Sequence, residues 1–476
     1  MPVPVISTAQ MRQWENASWD AGRSPADVIK NVGRVLARRA LDLTRRDDTI
    51  VILAGRGHNG DDARAARRLM PRRKMALVNA VDPRAAAGEF SRAIRPAPRS
   101  GRSVWIIDGL FGIGLNRPLE GAWKNLIDAV NQSGLPVLSV DVPSGLNADN
   151  GRVEGAAIRA EVTLTVAAPK RGLLAAPEWV GRLEVAPDVG LVACPVTSEL
   201  SWTLPGDFAA WPPRRPVESN KATFGHAVLI AGSEGYHGAA VLAARGALRA
   251  QPGLVTVEPQ PAVYIPVAAQ LQAAMARPWR PARSLPKNAT AILFGPGLAA
   301  EKLPAALKRE LHSRWKTFPG PMVVDAGALD WLQPDPAPAQ AVRVITPHPG
   351  EAGRMLGVSA KEVQADRIAA LRRLSRRHGQ CYVVLKGRHT LVGRAGGPVF
   401  INCSGNPFLA QGGSGDLLAG YLTGLLAQPA CQKDPLTAIR FAVWQHGAAA
   451  DENLQWRCNL TVEDMALDLG SARPAA

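Results

Sequence analysis

Three glycines surround one serine in the stretch GGSGD, residues 412–416, and the aspartate follows them at once. An apolar run then recurs near helical period, with Leu417, Leu418 and Leu422, so the pattern predicts a tight loop that leads into a helix N-terminus. Such a terminus presents unpaired N–H groups and the positive end of a helix dipole, which together favour an anion. Asp416 beside that cradle predicts a proton acceptor next to a phosphate site. The same pattern is also typical of a glycine-rich turn whose aspartate only caps the helix.

A second group of polar residues lies in the first half of the chain. The segment GRGHNG, residues 55–60, follows an apolar segment and matches the dinucleotide-binding pattern GxGxxG, although its loop is unusually polar. Asp108 and Asp141 each end an apolar segment. Asn59, Asp108 and Ser144 supply oxygen ligands of the kind that hard cations prefer, and they are equally suited to capping turns.

The elements that must position these residues are short strands that alternate with amphipathic helices. Strands are predicted at 49–54, 103–108, 135–141, 226–233, 289–294, 321–329, 341–345 and 381–385. Polar and glycine residues cluster after them, at the strand ends where open α/β sheets bind ligands. Residues 195–219 contain five prolines and no clear periodicity, so they are predicted to be a linker. We therefore expect two α/β domains, residues 1–205 and 206–476.

Composition limits the class of protein. Hydrophobic residues make up 46% of the chain and charged residues 20%, as in soluble globular proteins. The five cysteines are scattered without a CxxC pair, which argues against a disulfide framework or a zinc site and favours the cytoplasm. No apolar run approaches the roughly 18 residues that span a membrane. The net charge of +16 is spread along the chain and only four tyrosines occur, so no nucleic-acid partner is predicted.

Five blocks of the first half carry a family resemblance: TAQMRQWE (8–15), GRGHNGDDA (55–63), IDGLFGIGLNRPL (107–119), SVDVPSGLNADNG (139–151) and TVAAPKRGLL (165–174). Residues 1–200 thereby resemble the NAD(P)H-hydrate epimerase domain. The resemblance implies a Rossmann-like, three-layer domain that interconverts the R and S forms of nicotinamide cofactors hydrated at C6. In this chain the loop differs from the family pattern GxGNNGGDG at His58, Asp61 and Ala63.

The resemblance also implies roles for individual residues. Asp141 would be the catalytic acid–base, with Lys170 nearby, and potassium would be bound by Asn59, Asp108 and Ser144. The hydrated dinucleotide would be bound by His58, Asn59, Gly60, Asp61, Asp62, Gly112, Ile113, Gly114, Leu115, Asn116, Arg117, Pro118 and Asp141. Epimerisation through ring opening, or through loss and return of the hydroxyl, needs a carboxylate that both gives and takes a proton.

Six blocks of the second half carry another resemblance: residues 220–257, 294–299, 344–356, 383–392, 402–428 and 442–451. Residues 216–470 resemble the ADP-dependent NAD(P)H-hydrate dehydratase, a member of the ribokinase-like superfamily. One departure is DAGAL at 325–329, where the family has DADAL, so Gly327 replaces an aspartate. The absence of a GxxxxGK[ST] motif excludes a P-loop.

This second resemblance implies a phosphoryl transfer that removes water. Asp416 would take the proton of the added hydroxyl, and the hydrated dinucleotide would contact Ala239, Gly297, His348 and Asp416. The nucleotide would be ADP, with ATP as the alternative, and Mg²⁺ would bridge its phosphates. The nucleotide would be held by Lys386, Gly387, Arg388, His389, Thr390 and Gly415.

Together the two resemblances predict a bifunctional repair enzyme for hydrated NADH and NADPH, expected to be a homo-oligomer. Two alternatives stay open. One is a kinase for a small alcohol, which would use the same GGSGD loop and leave a stable phosphorylated product. The other is a dinucleotide-binding sensor or scaffold, which the altered 55–63 loop allows for the first half only. An NAD-dependent oxidoreductase is disfavoured, because GxGxxG here falls inside a longer polar motif.

Overall fold

The computed structural model describes residues 2–95, 103–115, 117–334, 337–338, 340–454 and 457–474. The chain divides into two compact units, Val3–Trp202 and Thr203–Ala476. Each unit contains a largely parallel sheet with helices packed against it, so the predicted α/β class is confirmed. Among the described residues, no helix combines the length and the apolar character needed to cross a bilayer.

The elements of the first unit alternate along the chain. Its strands are β1 (Val3–Pro4), β2 (Thr49–Ala54), β3 (Lys74–Asn79), β4 (Val104–Gly109), β5 (Val137–Val140), β6 (Val162–Val166), β7 (Arg182–Ala186) and β8 (Leu200–Trp202). Its helices are α1 (Thr8–Asp20), α2 (Pro25–Leu43), α3 (His58–Arg68), α4 (Pro83–Ala93), α5 (Ala122–Gln132), α6 (Arg171–Ala175) and α7 (Pro177–Val180).

Six of these strands form a parallel sheet in the order β3-β2-β4-β5-β6-β7. Because side chains alternate along a strand, Ile50 and Ile52 of β2 pack with α1, α2 and α3, whereas Val51 and Leu53 pack with α4 and α5. The result is a three-layer arrangement. The chain places β3 on one side of β2 and β4 on the other, which creates a crevice at the carboxyl ends of the strands.

The second unit is larger. Its strands are β9 (His226–Ile230), β10 (Leu254–Val257), β11 (Met275–Ala276), β12 (Ala291–Phe294), β13 (Met322–Val324), β14 (Arg343–Ile345), β15 (Tyr382–Leu385), β16 (Leu391–Gly393) and β17 (Val399–Ile401). Its helices are α8 (His237–Arg249), α9 (Tyr264–Ala268), α10 (Ala305–Thr317), α11 (Pro349–Leu356), α12 (Ala360–Ala365), α13 (Arg367–Arg377), α14 (Ser414–Leu426), α15 (Pro429–Gln432), α16 (Pro435–Asn453) and α17 (Val462–Asp468).

The sheet of the second unit runs in the order β17-β16-β15-β14-β13-β12-β9-β10-β11. Strands β9 to β15 are parallel, and β16 and β17 are added as antiparallel strands. Both faces are covered, since neighbouring β9 residues such as Val228 and Leu229 are fully buried. Leu229 belongs to the apolar core that α8, α14 and α16 form on one face.

Helices α8 and α14 pack at backbone distance because small residues line their contact. A β-carbon at Gly420 would lie 1.9 Å from the carbonyl oxygen of Ala243, and one at Gly424 would lie 2.5 Å from that of Ala247. These contacts advance in the same direction along both helices, so the helices are parallel. Their N-termini, which include the GGSGD loop, therefore lie at the same end of the unit.

All eight predicted strands are present, as β2, β4, β5, β9, β12, β13, β14 and β15. The division between the two units falls within the predicted linker at 195–219, but that segment contains regular elements that the sequence did not predict. Residues 200–202 form β8, and Pro205–Phe208 form a 3₁₀ helix. Phe208 is fully buried and stacks on Phe441 and Trp444. The prolines mark irregular backbone here, but the aromatic side chain anchors the segment within the second unit.

Candidate active sites

A cleft of about 1150 Å³ opens in the first unit, lined by the loops that follow β2 and β4 and by parts of α1 and α2. Among the predicted substrate residues, the cleft is lined by His58, Asn59, Asp62, Gly112, Ile113, Gly114, Leu115, Arg117, Pro118 and Asp141. Gly60 and Asp61 do not line it, and Asn116 lies outside the described residues. Nine of the ten predicted residues that line the cleft follow β2 or β4, the strands at which the strand order reverses, and Asp141 follows β5.

The glycine loop at residues 55–63, which departs from the family pattern, keeps Asp61 out of the cleft lining. Asp61, which replaces a family glycine, forms an ion pair with Arg64 one turn along α3, at 3.0 Å. Its charge is therefore compensated on the helix, and its side chain stays out of the cleft lining. Gly60 must be glycine, because a β-carbon there would lie 2.1 Å from the Gly55 carbonyl oxygen.

Asp141 and Lys170 meet in the cleft. Asp141 follows β5 with a left-handed φ of 63°, an uncommon conformation that turns its carboxylate out of the strand direction. Its Oδ1 accepts hydrogen bonds from Lys170 Nζ at 2.5 Å, from Val166 N at 3.1 Å and from Thr165 Oγ1 at 3.2 Å. Lys170 is fully buried. The second oxygen of Asp141, Oδ2, accepts no hydrogen bond from the described residues.

The three predicted cation ligands converge around one main-chain segment. Ser144 Oγ donates to Asp108 Oδ1 at 2.6 Å and accepts from Phe111 N at 2.9 Å, while Asn59 Nδ2 donates to Phe111 O at 3.0 Å. Asp108 is fully buried, and that burial raises the pKa of its carboxyl group. Among the described residues no cationic side chain forms an ion pair with it.

Two further carboxyl groups line this cleft. Asp62 is buried, and its burial, reinforced by the charges of Asp141, Asp61 and Glu15, raises its pKa to about 8. Glu15, on α1, also has a raised pKa, chiefly because it is partly buried and then because Asp141 is near. Glu15 lies in TAQMRQWE (8–15), one of the blocks of family resemblance, but nothing in the sequence of that block predicts that α1 lines the cleft.

In the second unit, α14 begins as the glycine pattern predicts. Gly413 precedes the helix with a left-handed φ of 93°, a conformation that favours glycine. Asp416 stands in the first turn of the helix. Ser414 is held by His446 of α16, whose Nε2 lies 3.0 Å from the Ser414 carbonyl oxygen.

A lysine among carboxylates adjoins this first turn. Lys386 Nζ contacts Asp325 Oδ1 at 2.8 Å and Glu351 Oε2 at 3.8 Å, and a β-carbon at Gly415 would lie 3.1 Å from the same Nζ. Burial alone would lower the pKa of Lys386, but the nearby carboxylates, Asp325 first, raise it. Burial and then the charge of Asp325 raise the pKa of Asp416 to about 7, although Lys386 opposes this.

Five of the six predicted nucleotide residues, 386–390, form the turn between β15 and β16, and the sixth, Gly415, lies in the first turn of α14. Gly387 and His389 adopt positive φ angles of 132° and 51°, and Thr390 Oγ1 donates to the Gly387 carbonyl at 2.9 Å. Arg367, at the start of α13, donates to the carbonyl oxygens of Leu385 at 3.0 Å and Arg388 at 2.5 Å. A single guanidinium therefore supports both sides of the turn.

The predicted dinucleotide residues of this unit fall into two groups. Ala239 and Gly297 are in contact, since a β-carbon at Gly297 would lie 2.9 Å from that of Ala239. His348 caps α11: its Nδ1 accepts from Gly350 N at 3.0 Å, and its Nε2 lies 3.5 Å from Glu351 Oε1. Glu351 in turn reaches Lys386, so His348 is tied to the carboxylate cluster.

The site also contains residues that the sequence analysis did not assign. Asp325 and Glu351 follow β13 and β14, and the rule that strand ends carry functional groups could have identified both. Arg367 and His446 lie on helices, 18 and 32 residues from the main-chain atoms that they bind. No local pattern indicates such contacts.

Comparisons with known proteins agree with this architecture. The family profile described as NAD(P)H-hydrate dehydratase matches residues 227–469, and the one described as YjeF-related protein N-terminus matches residues 20–172. The bifunctional NAD(P)H-hydrate repair enzyme of Coxiella burnetii is 32% identical over 93% of each chain. The repair enzyme of the same name from Gloeobacter violaceus is 34% identical over 98% of this chain and 96% of that protein.

Among solved structures, the ADP/ATP-dependent NAD(P)H-hydrate dehydratase from Bacillus subtilis, co-crystallised with ATP and Mg²⁺, is 32% identical. The match has a TM-score of 0.50 and covers 56% of this chain and 95% of that one. The near-complete matches to the repair enzymes span both units of the chain. With a dehydratase profile over the second unit and a Rossmann-like first unit, the chain belongs to the family of bifunctional NAD(P)H-hydrate repair enzymes.

Proposed function

We propose that the second unit dehydrates the S form of hydrated NADH or NADPH at the expense of ADP, which yields AMP and phosphate. The observation that carries this proposal is Asp416, in the first turn of α14 with a pKa raised to about 7, beside the ammonium of Lys386. A carboxylate of that pKa is a suitable base near neutral pH. ATP is the alternative phosphoryl donor, since the Bacillus subtilis relative is described as ADP/ATP-dependent.

The proposed reaction proceeds in two steps. Asp416 takes the proton of the C6 hydroxyl while that oxygen attacks the terminal phosphorus of the nucleotide, whose bond to the leaving nucleotide breaks. The N–H groups at the start of α14 and the Lys386 ammonium balance the charge that develops on the phosphoryl oxygens. The N1 lone pair then expels phosphate, which leaves with the electron pair of the C6–O bond, and the C5 proton passes to solvent water as the C5–C6 double bond of the dihydropyridine forms. The nucleotide enters as its magnesium complex.

The remaining predicted residues are proposed to hold the two ligands. Ala239, Gly297 and His348 would contact the hydrated dinucleotide, and the turn at residues 386–390 together with Gly415 would hold the nucleotide. The support for the turn is that it begins at Lys386, whose ammonium adjoins the first turn of α14, and that Gly387 and His389 bend its backbone through positive φ angles. These residues would bind the two ligands and would take no part in forming or breaking bonds.

For the first unit we propose epimerisation of the R and S hydrates. The support is the pair formed by Asp141 and Lys170 at the wall of the cleft, with Asp141 Oδ2 left without a partner among the described residues. Ten of the predicted substrate residues line the same cleft. The cleft is large enough for a dinucleotide to be placed with its hydrated ring at this pair.

A potassium ion fits the residues proposed to bind it. Asn59, Asp108 and Ser144 offer only oxygen atoms as ligands, and the fully buried Asp108 has no cationic partner among the described residues. An alkali cation there would offset the charge of Asp108, whose carboxylate oxygens also accept hydrogen bonds from Ser139, Ser144 and Leu110. Asp141, held by Lys170, would take and return a proton.

The dehydratase proposal is tested with the purified full-length chain, S-NADPH hydrate, Mg²⁺ and either ADP or ATP. We expect the absorbance of reduced nicotinamide to return with equimolar formation of AMP from ADP. Asp416→Asn should abolish the recovery. No recovery with either nucleotide would reject the proposal, and a stable phosphorylated dinucleotide would indicate a kinase instead.

The epimerase proposal is tested without nucleotide, so that dehydration does not occur. R-NADPH hydrate is incubated with the chain, and the R and S forms are separated by chromatography. Conversion above the spontaneous rate, lost in Asp141→Asn, is the expected result. A rate equal to the spontaneous one would indicate a domain that binds without catalysis. Cytoplasmic location and a homo-oligomeric state also stay proposals; fractionation and light scattering test them.

A further inference from the structure

Asp62 is a second carboxyl group in the wall of the epimerase cleft, and it has no role in the epimerase reaction as proposed above. It lies in the first turn and a half of α3, and only 7% of the residue is exposed, on the side that lines the cleft. No described residue donates a hydrogen bond to it. A buried carboxyl group without a partner is costly as an anion, so its environment favours the neutral acid.

Asp141 also lines the cleft, but its carboxylate, unlike that of Asp62, accepts hydrogen bonds from neighbouring residues. It accepts three hydrogen bonds, one of them from the Lys170 ammonium. The charged groups around Asp62 are Asp141 after β5, Glu15 on α1 and Asp61 on its own helix. All three are acidic, and together with burial they raise the pKa of Asp62 to about 8. The basic groups that line the cleft are Lys170, which is engaged by Asp141, and Arg12, Arg56, His58 and Arg117. None of these five is among the causes of the Asp62 shift, which are burial and the three acidic groups.

We infer that Asp62 is the proton donor of the epimerase reaction and works with Asp141 as a carboxylic acid and carboxylate pair. Two carboxyl groups held in opposite protonation states are the usual signature of an acid and a base in one site. This inference rests on the proposed epimerase function and adds a residue to it. The two groups fit ring opening, which needs a base and an acid in the same step.

Ring opening transfers one proton to Asp141 and one proton from Asp62. Asp141 takes the proton of the C6 hydroxyl, and the C6–O bond becomes a carbonyl as the C6–N1 bond breaks. The electron pair goes to N1, which takes the proton of Asp62. Rotation about C5–C6 presents the other face of the aldehyde. In closing, N1 returns its proton to Asp62 and attacks C6, and the oxygen takes the proton back from Asp141. No oxidant or reductant is consumed.

The test uses the full-length chain without nucleotide, with R-NADPH hydrate as substrate, and compares Asp62→Asn, Asp62→Glu and Asp42→Asn. Asparagine keeps the shape of Asp62 but has no acidic proton. We expect Asp62→Asn to lower kcat by about a hundredfold or more with little change in KM. Asp62→Glu should recover part of the rate. Asp42 is exposed on α2 outside the cleft, so Asp42→Asn should match the wild type.

The pH profile separates proton transfer from a structural role. Because the acid form of Asp62 is required, the wild-type rate should fall as the pH rises above about 8. This fall should be absent from the residual activity of Asp62→Asn. A wild-type rate in Asp62→Asn, an unchanged alkaline fall, or an effect confined to KM would overturn the inference. Wild-type protein that does not epimerise at all would instead reject the proposed function.

Discussion

At the scale of single residues, each candidate site contains a carboxyl group whose surroundings keep its pKa near neutrality. In the second unit this is Asp416, which shares the Lys386 ammonium with Asp325 and Glu351. Three carboxylates around one lysine leave a net negative charge, so protonation of one of them is favoured. A proton acceptor that is half protonated near pH 7 is suited to take a proton and release it.

This arrangement predicts how dehydration depends on pH. Burial and Asp325 raise the pKa of Asp416 to about 7, so its basic form is lost as the pH falls through that value. The rate of dehydration should therefore rise from pH 6 to pH 8 and level off. Asp325→Asn removes a neighbouring negative charge, so the rise should move to lower pH. An unchanged midpoint of kcat/KM against pH in that variant would contradict this electrostatic account.

At the scale of elements, the nucleotide turn depends on a helix that precedes it in the chain. Arg367 is partly buried and donates to main-chain carbonyls on both sides of the β15–β16 turn. Burial lowers the pKa of its guanidinium to about 10, which leaves it charged at neutral pH. Its position beneath the turn makes it a positioning residue for the groups proposed to hold the nucleotide.

We expect Arg367→Met to raise the KM for ADP by about tenfold or more, because several hydrogen bonds from a charged group are lost. The kcat should change much less, since Asp416 is untouched. Steady-state kinetics with ADP as the varied substrate measure the split. Arg367→Lys keeps the positive charge, so its KM for ADP should lie between those of the wild type and Arg367→Met. Equal losses in kcat and KM would point to a general loss of structure instead.

The contact between α8 and α14 is a second feature at this scale. Gly420 faces the Ala243 carbonyl with no room for a side chain, so Gly420→Ala should separate the two helices whose N-termini carry site residues. A loss of about 2 kcal/mol or more in the free energy of unfolding is expected. Gly396→Ala, at a position with open space around it, is the matched control. Similar thermal midpoints for both variants would contradict the steric argument.

At the scale of the whole molecule, two compact units each carry their own sheet, core and candidate site. The proposed reactions share one substrate, since the dehydratase consumes the S form that the epimerase can supply. Because the residues of each site come from one unit, a substitution in one should leave the other activity in place.

This independence predicts the course of repair of a mixture of R and S hydrates. With ADP and Mg²⁺, the wild-type chain should convert both forms to NADPH. Asp141→Asn should convert the S portion at the wild-type rate and leave the R portion to the slow spontaneous reaction. The measurement is the time course of NADPH absorbance, followed by chromatographic separation of the R and S hydrates that have not reacted. Full conversion by Asp141→Asn in a single fast phase would argue against an epimerase role for the first unit.

The amino-acid sequence was sufficient for the α/β class, for eight strands and for the loops that carry most candidate residues. These features depend on local patterns: apolar runs of strand length, glycines where the backbone must turn, and polar residues at strand ends. The blocks of family resemblance added roles to positions such as Asp141 and Asp416. The same patterns did not predict the short strand and the 3₁₀ helix within the linker at 195–219, because a buried aromatic residue such as Phe208 has no local signature.

Only the tertiary structure decided which groups meet and in which state. Asp61 and Asp62 are neighbours in the chain, yet Asp61 pairs with Arg64 outside the cleft lining, whereas Asp62 is buried in it with no hydrogen-bond donor among the residues that the structure describes. Arg367 reaches a turn that is 18 residues away along the chain. Burial and the charges of distant residues determine a pKa, and these arise only when elements far apart in the chain pack together.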